Sequence, residues 1–388
     1  MKKTSFGMNR GKEIACFVCP TRYLAFVILI LHSSLFAFHS YAQGLKDVLG
    51  GDCFVGAAIN QWQSGGQDAA ATAVLRQHFN AAVAENCMKS GPLQPAEAVF
   101  DFREADKFVS YCEENGLTPF GHCLVWHSQA PRWFFTREDG RPVSREELIA
   151  RIQKHIATVV GRYRGRIKGW DVVNEAVEDN GSWRRSPFYN IIGEDFIEIA
   201  FRAAHEADPD AELYYNDYSM ALPAKRETVC QLVRRLKEKG CRIDAVGMQS
   251  HNGLDYPDLK EYENTIEALS KEGVKVMITE LDVNVLPNPH GFGGAEVSQN
   301  YEYQKKINPY VDGLPKNVEQ QFEERYLELF RIYRKHRDVI SRINLWGIAD
   351  HNSWLNGWPV RGRTNYPLLF DRQYNAKPVV NKIIKEWK

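Results

Sequence analysis

From residue 44 onward, short apolar runs rich in β-branched and aromatic residues alternate with stretches whose apolar positions recur at helical spacing. The runs fall at 53–59, 79–83, 118–126, 169–173, 212–215, 245–248, 274–278 and 343–348. Between them, Ser144 with Glu147 three residues on reads as a capping box that opens a helix. Val229, Leu232, Val233 and Leu236 share one helical face, in a stretch that stops before Gly240. The helical stretch 258–272 ends at Gly273 in the same way. Eight strands with helices between them, over about 345 residues, predict a closed (β/α)8 TIM barrel, an α/β fold occupying 43–388 as a single domain. An open doubly wound sheet is the alternative. However, neither G-x-G-x-x-G nor G-x-x-x-x-G-K-S/T follows any of the strands. One irregular piece, 286–315, holds four Pro and four Gly. It reads as an insertion after strand seven, on the face where barrels keep their sites, and it is expected to roof one side of a cleft.

Residues 1–42 follow another pattern. Lys2, Lys3, Arg10, Lys12 and Arg22 precede an apolar run at 24–31 that resumes at 35–38, followed by Ser40-Tyr41-Ala42. A basic stretch, an apolar run and a small-x-small site predict a signal peptide over 1–42 cleaved near Ala42, and a secreted or periplasmic protein. His32, Ser33 and Ser34 interrupt the run, so stable membrane insertion is not expected. Lys plus Arg equals Asp plus Glu, 49 of each; cleavage would remove five bases and one acid, leaving 44 against 48 and a formal charge of −4. No basic footprint for nucleic acid remains, and a monomer is expected. Of eight Cys, six lie beyond Ala42 without close C-x-x-C spacing. Buried free thiols are the favoured reading, with Cys230 and Cys241 the first pair to test for a disulfide.

The candidate chemistry sits where the strands end. In a barrel these positions converge on one mouth although they are far apart in sequence. Strand two is followed by Glu85-Asn86-Cys87-Met88-Lys89, and strand three leads into His122, Trp126 and Gln129. Strand four gives Asn174-Glu175, strand five Asn216-Asp217-Tyr218 and strand six Gln249-Ser250-His251. Strand seven ends in Glu280-Leu281-Asp282, and strand eight yields Trp346 with Trp354 a short loop later. A single carboxylate at a strand end is more often a helix cap than a catalyst. Seven strands ending in amide, imidazole, carboxylate or indole groups are hard to explain as capping. Paired carboxyls with amides and indoles around them suit glycoside hydrolysis. Glu175 and Glu280 are the Glu residues that follow unbroken apolar runs at the mouth.

At this point the chain resembles the family 10 glycoside hydrolases, the (β/α)8 endo-β-1,4-xylanases. The resemblance rests on 85–89, 121–129, 170–176, 216–218, 249–251, 278–282, 346–354 and 367–371, which run in family order through nearly the whole of 44–388. It implies an endo-acting, retaining enzyme on xylan and xylo-oligosaccharides, with no cofactor and no metal. It also implies that Glu175 is the proton donor and Glu280 the nucleophile. Asn174 would bond the sugar 2-hydroxyl, with His251 and Asp282 ordering Glu280. Glu85, Asn86, Lys89, His122, Trp126, Gln129, Gln249, Trp346 and Trp354 would line glycone subsites, and Tyr218 is added as a substrate-binding residue. The chain departs from the family at Ser90, where Trp is usual, at His351 and Asn352 in the last loop, and in the long 286–315 piece. Other readings are a β-1,4-glucan-active or exo-acting relative, a noncatalytic xylan binder, and a metal-dependent hydrolase using His122, His127, His251 and His351. The last lacks the H-x-H expected on a first strand, and both Glu argue against mere binding.

Overall fold

In the computed structural model, residues 43–289, 301–302 and 304–388 are described. The expected leader at 1–42 lies outside them, as do 290–300 and 303 within the 286–315 piece. Nine strands run β1 Phe54–Ile59, β2 Ala81–Ala84, β3 Thr118–Trp126, β4 Gly169–Asn174, β5 Glu212–Asp217, β6 Ala245–Met248, β7 His251–Gly253, β8 Lys275–Asn284 and β9 Ile340–Leu345. All pairings are parallel, in the order β6-β5-β4-β3-β2-β1-β9-β8, and a β6–β8 pairing closes the ring into the expected eight-stranded barrel. The short β7 is an extension that pairs His251 with Asp282 on the outer part of β8. Such strands are covered on both faces, which is why they read as continuous apolar runs.

Three strands depart furthest from the sequence expectation, each for a local reason. Phe79 closes the helix Ala69–His78 by donating its N–H to Leu75 O, so β2 starts only at Ala81. Arg342 hides β9 from a hydropathy reading, and that strand begins and ends earlier than 343–348. β8 runs on to Asn284 because β7 pairs with its outer end at Asp282, Val283 and Asn284. Glu280, expected at a strand end, therefore lies within β8.

Most of the core lies between the sheet and its helices, with a smaller cluster of Val83, Phe120, Tyr214, Met277 and others inside the ring. Arg342 is buried there, its guanidinium 4.2 Å from the Phe120 ring and 3.9 Å from Asp171 Oδ1. Gly121 is required by close packing, since a Cβ there would stand 2.1 Å from the Trp170 ring. Helix Arg145–Arg162 opens on the expected capping box: Ser144 Oγ accepts from Glu147 N–H, and the Glu147 carboxylate accepts from Ser144 N–H. The helices Leu45–Leu49 and Pro378–Trp387 pack on each other, and Trp387 Nε1 donates to Asp52 Oδ2 at 3.0 Å. All six cysteines of the described residues are free and buried. Among the described residues no helix is long and apolar enough to cross a membrane.

Candidate active site

Register carries the polar residues to one level. Trp126 on β3 is the partner of Asn174 on β4, and Asn174 is the partner of Asn216 on β5. The chain leaves β4 at Glu175 with φ of 58°, in the left-handed region that a side-chain-bearing residue adopts only at a cost of about 1–2 kcal/mol. Backbone bonds hold it there. Its N–H donates to Asn216 O at 2.9 Å, and its carbonyl accepts from Arg184 Nε at 2.9 Å.

Both carboxyl groups are buried and surrounded by donors. Glu175 Oε2 accepts from Trp126 Nε1 at 2.7 Å, and Oε1 accepts from Gln249 Nε2 at 2.9 Å and Asn174 Nδ2 at 3.1 Å. Glu280 Oε1 accepts from Asn216 Nδ2 at 2.8 Å, and Oε2 lies 3.2 Å from His251 Nε2. Asn216 Nδ2 also donates to Asn174 Oδ1 at 2.9 Å. A line of two amides thus joins one carboxyl to the other. Behind Glu280, His251 Nδ1 is 3.0 Å from Asp282 Oδ2, and the same oxygen accepts from Trp354 Nε1 at 2.8 Å.

These surroundings push the two carboxyls in opposite directions. Burial raises the Glu175 pKa above the ordinary value, the Asp217 charge adds to that, and the bonds from Gln249 and Trp126 only temper it. Burial also pushes Glu280 upward, but the His251 hydrogen bond and the His122 and His251 charges outweigh it and hold the group below the ordinary value. Burial disfavours charge on His251, yet Asp282 and Glu280 overcome it and lift the pKa to about 10. His122 is similarly raised against its burial, with Asp171 Oδ2 2.9 Å from Nδ1. The two carboxyls are thus shifted apart, the direction that acid and nucleophile chemistry needs.

The remaining sequence candidates divide into two groups. Lys89 Nζ donates to Asn86 Oδ1 at 3.0 Å and sits 4.9 Å from the Trp126 ring and 5.9 Å from that of Trp346. Trp346 contacts His122 and His251, while Trp354 contacts His251 and stacks on Trp358 with centroids 4.5 Å apart. Glu85 is half-buried beside this group and Asn86 is exposed. Tyr218 accepts from Arg184 Nη2 at 2.6 Å and lines a cavity of about 410 Å³ with His251, Tyr256, Trp354 and Trp358. Asn288, at the start of the long insertion, lines the same cavity. Gln129 is exposed in a left-handed turn past β3. Ser90 is buried at the start of a one-turn helix, Ser90–Leu93.

Residues outside the candidate set prove central. Asn216 and Asp217 stood in the strand-five motif but received no role. Asn216 accepts from Thr279 Oγ1 at 2.6 Å while its amide bridges toward Glu280. Asp217 is paired with the fully buried Lys225 at 2.8 Å. Arg184 carried no sequence signal, because it reaches the site from a loop.

Comparison with known proteins adds a family to this geometry. The sequence profile of glycosyl hydrolase family 10 matches residues 44–386. The chain is 58% identical over 341 residues to endo-1,4-beta-xylanase A of Xylanibacter ruminicola, covering 88% of this chain and 92% of that protein. It is 41% identical over 343 residues to the endo-1,4-beta-xylanase of Geobacillus stearothermophilus, covering 88% and 97%. The solved structure of a family 10 endoxylanase from a sugarcane soil metagenome superposes with a TM-score of 0.86 at 47% identity, covering 88% of this chain and 100% of that one.

Proposed function

The chain belongs to glycosyl hydrolase family 10, and from that premise we propose an endo-1,4-β-xylanase that cleaves internal linkages of xylan with retention of configuration. Glu280, held ionised, attacks the anomeric carbon, and the glycosidic C–O bond breaks as Glu175 delivers its proton to the leaving oxygen. The resulting glycosyl-enzyme is hydrolysed when Glu175, now the base, takes a proton from water and the ester bond to Glu280 is released. Asn174 faces the sugar 2-hydroxyl, and His251 and Asp282 orient Glu280. Glu85, Asn86, Lys89, Trp126, Gln249, Trp346 and Trp354 hold the glycone. The indoles close the space that a hexose hydroxymethyl group would need, which favours xylose.

The observation that carries this reading is the opposite polarisation of two buried carboxyls joined through Asn174 and Asn216. Export follows from the leader pattern at 1–42, and the mature protein acts as a monomer; both are part of the same proposal.

Separating the two glutamates by role tests it. Glu280→Ala should be inactive on xylan and on dinitrophenyl xylobioside alike. Glu175→Ala should lose roughly 10²–10⁴-fold on xylan yet still expel dinitrophenolate in its first turnover. Added azide should then restore turnover and yield a β-glycosyl azide. If azide instead rescues Glu280→Ala to the β-azide, the two roles are reversed.

A further inference from the structure

Of the nine Trp residues, all among those described, eight are buried or half-buried, and Trp62 alone is exposed, at 62%. It lies on a one-turn helix, Gln61–Ser64, directly after β1, at the same end of the barrel as Glu175. That turn is fixed in place. Asn60 Oδ1 accepts from Gln63 N–H at 3.1 Å, Gln63 Oε1 accepts from Asn60 N–H at 3.0 Å, and Gly66 completes the bend at φ 73°. Beside the indole opens a groove of about 670 Å³, walled on the far side by the helix Arg103–Asn115. Its lining is amide, hydroxyl and charged: Gln67, Glu104, Lys107, Ser110, Tyr111 and Glu114. Lys107 is already paired with Glu104 at 2.8 Å, so the groove does not present a free cation to an anion.

We propose that Trp62 and this groove form a carbohydrate-binding surface outside the catalytic cleft, taking a further stretch of the xylan chain. An exposed single apolar residue needs no explanation by itself. An exposed indole on a capped turn, beside an open groove of hydrogen-bonding groups, matches one ligand chemistry well: an uncharged sugar ring, with apolar C–H faces to stack and hydroxyls at its edge. The surface rests on the xylanase reading for the identity of its ligand. Its place at the catalytic end would hold polymer near the cleft without contributing to the cleavage of short substrates.

Affinity electrophoresis in soluble xylan tests the inference, using full-length Glu280→Ala to prevent hydrolysis during the run. Adding Trp62→Ala should weaken retention roughly three- to tenfold, the size of one aromatic face contact, and Trp62→Phe should restore much of it. In the otherwise wild-type enzyme, Trp62→Ala should leave kcat/KM on dinitrophenyl xylobioside and the thermal midpoint unchanged. Retention unaffected by Trp62→Ala overturns the surface. Lost activity on the aryl xylobioside overturns it too, by making Trp62 part of the cleft or the fold. Failure of the wild-type enzyme to cleave that substrate would overturn the xylanase reading instead, a separate result.

Discussion

Replacing His251 by Asn removes the cation between Glu280 and Asp282 while keeping a polar group of smaller size. Burial disfavours the charged His251, so the net rise of its pKa from 6.5 to about 10 means that attraction to Asp282 and Glu280 exceeds the cost of burial by about 5 kcal/mol. Without His251 the nucleophile loses a hydrogen bond and a charge that favour its ionised form, and burial, which pushes its pKa upward, is left less opposed. The acid limb of kcat/KM reports ionisation of the nucleophile in the free enzyme and the basic limb the proton on Glu175. The acid limb should therefore move to higher pH, with the basic limb nearly fixed. The measurement is initial rates on aryl xylobioside from pH 4 to 10. An acid limb that stays in place or moves down would refute the assignment of His251 as the group that keeps Glu280 ionised. Stability follows the same linkage. A histidine whose pKa is raised on folding stabilises fully below its unfolded value of about 6.5 and loses that contribution as pH rises through about 10. The wild-type thermal midpoint should fall across that window, and the variant's should fall less.

Asn216→Ala removes the amide that bridges Asn174 to Glu280 and strands Thr279 Oγ1, so kcat/KM should drop roughly 10- to 100-fold on both xylan and aryl substrate; unchanged kinetics would make the bridge merely structural. Gly121→Ala would place a Cβ 2.1 Å from the Trp170 ring, and the overpacking should cost about 3 kcal/mol or more, read as a lower thermal midpoint or loss of soluble protein. Burial raises the Cys53 and Cys87 thiols to about 12 and Cys230 to about 11. At pH 8 the native protein should react slowly with a thiol reagent, and six thiols of the mature chain should titrate after denaturation; fewer would reveal a disulfide.

The barrel was legible because each strand is covered on both faces and announces itself as an apolar run. Strand limits were less legible where a charged residue is buried, as at Arg342, or where a neighbour extends pairing, as at Glu280. The carboxyl pair and its flanking amides could be read from strand-end positions alone. What joins them could not. Asn216 bridges toward Glu280, His122 meets Asp171 and Asp217 meets Lys225 only after barrel closure sets the register between strands and the helices behind them.

The bond from Trp387 to Asp52 places the last helix beside the segment that enters β1, and so at the end of the barrel away from Glu175 and Glu280. Any module tethered at Lys388 would start from the blind end of the enzyme. To present polysaccharide at the mouth it would have to reach around a body of roughly 30 Å, which a flexible Gly/Ser tether spans only at about 30 residues. A shorter tether would hold such a module behind the catalyst. Engineered fusions at this position therefore divide by tether length, the short ones anchoring the barrel to a surface with its cleft facing outward.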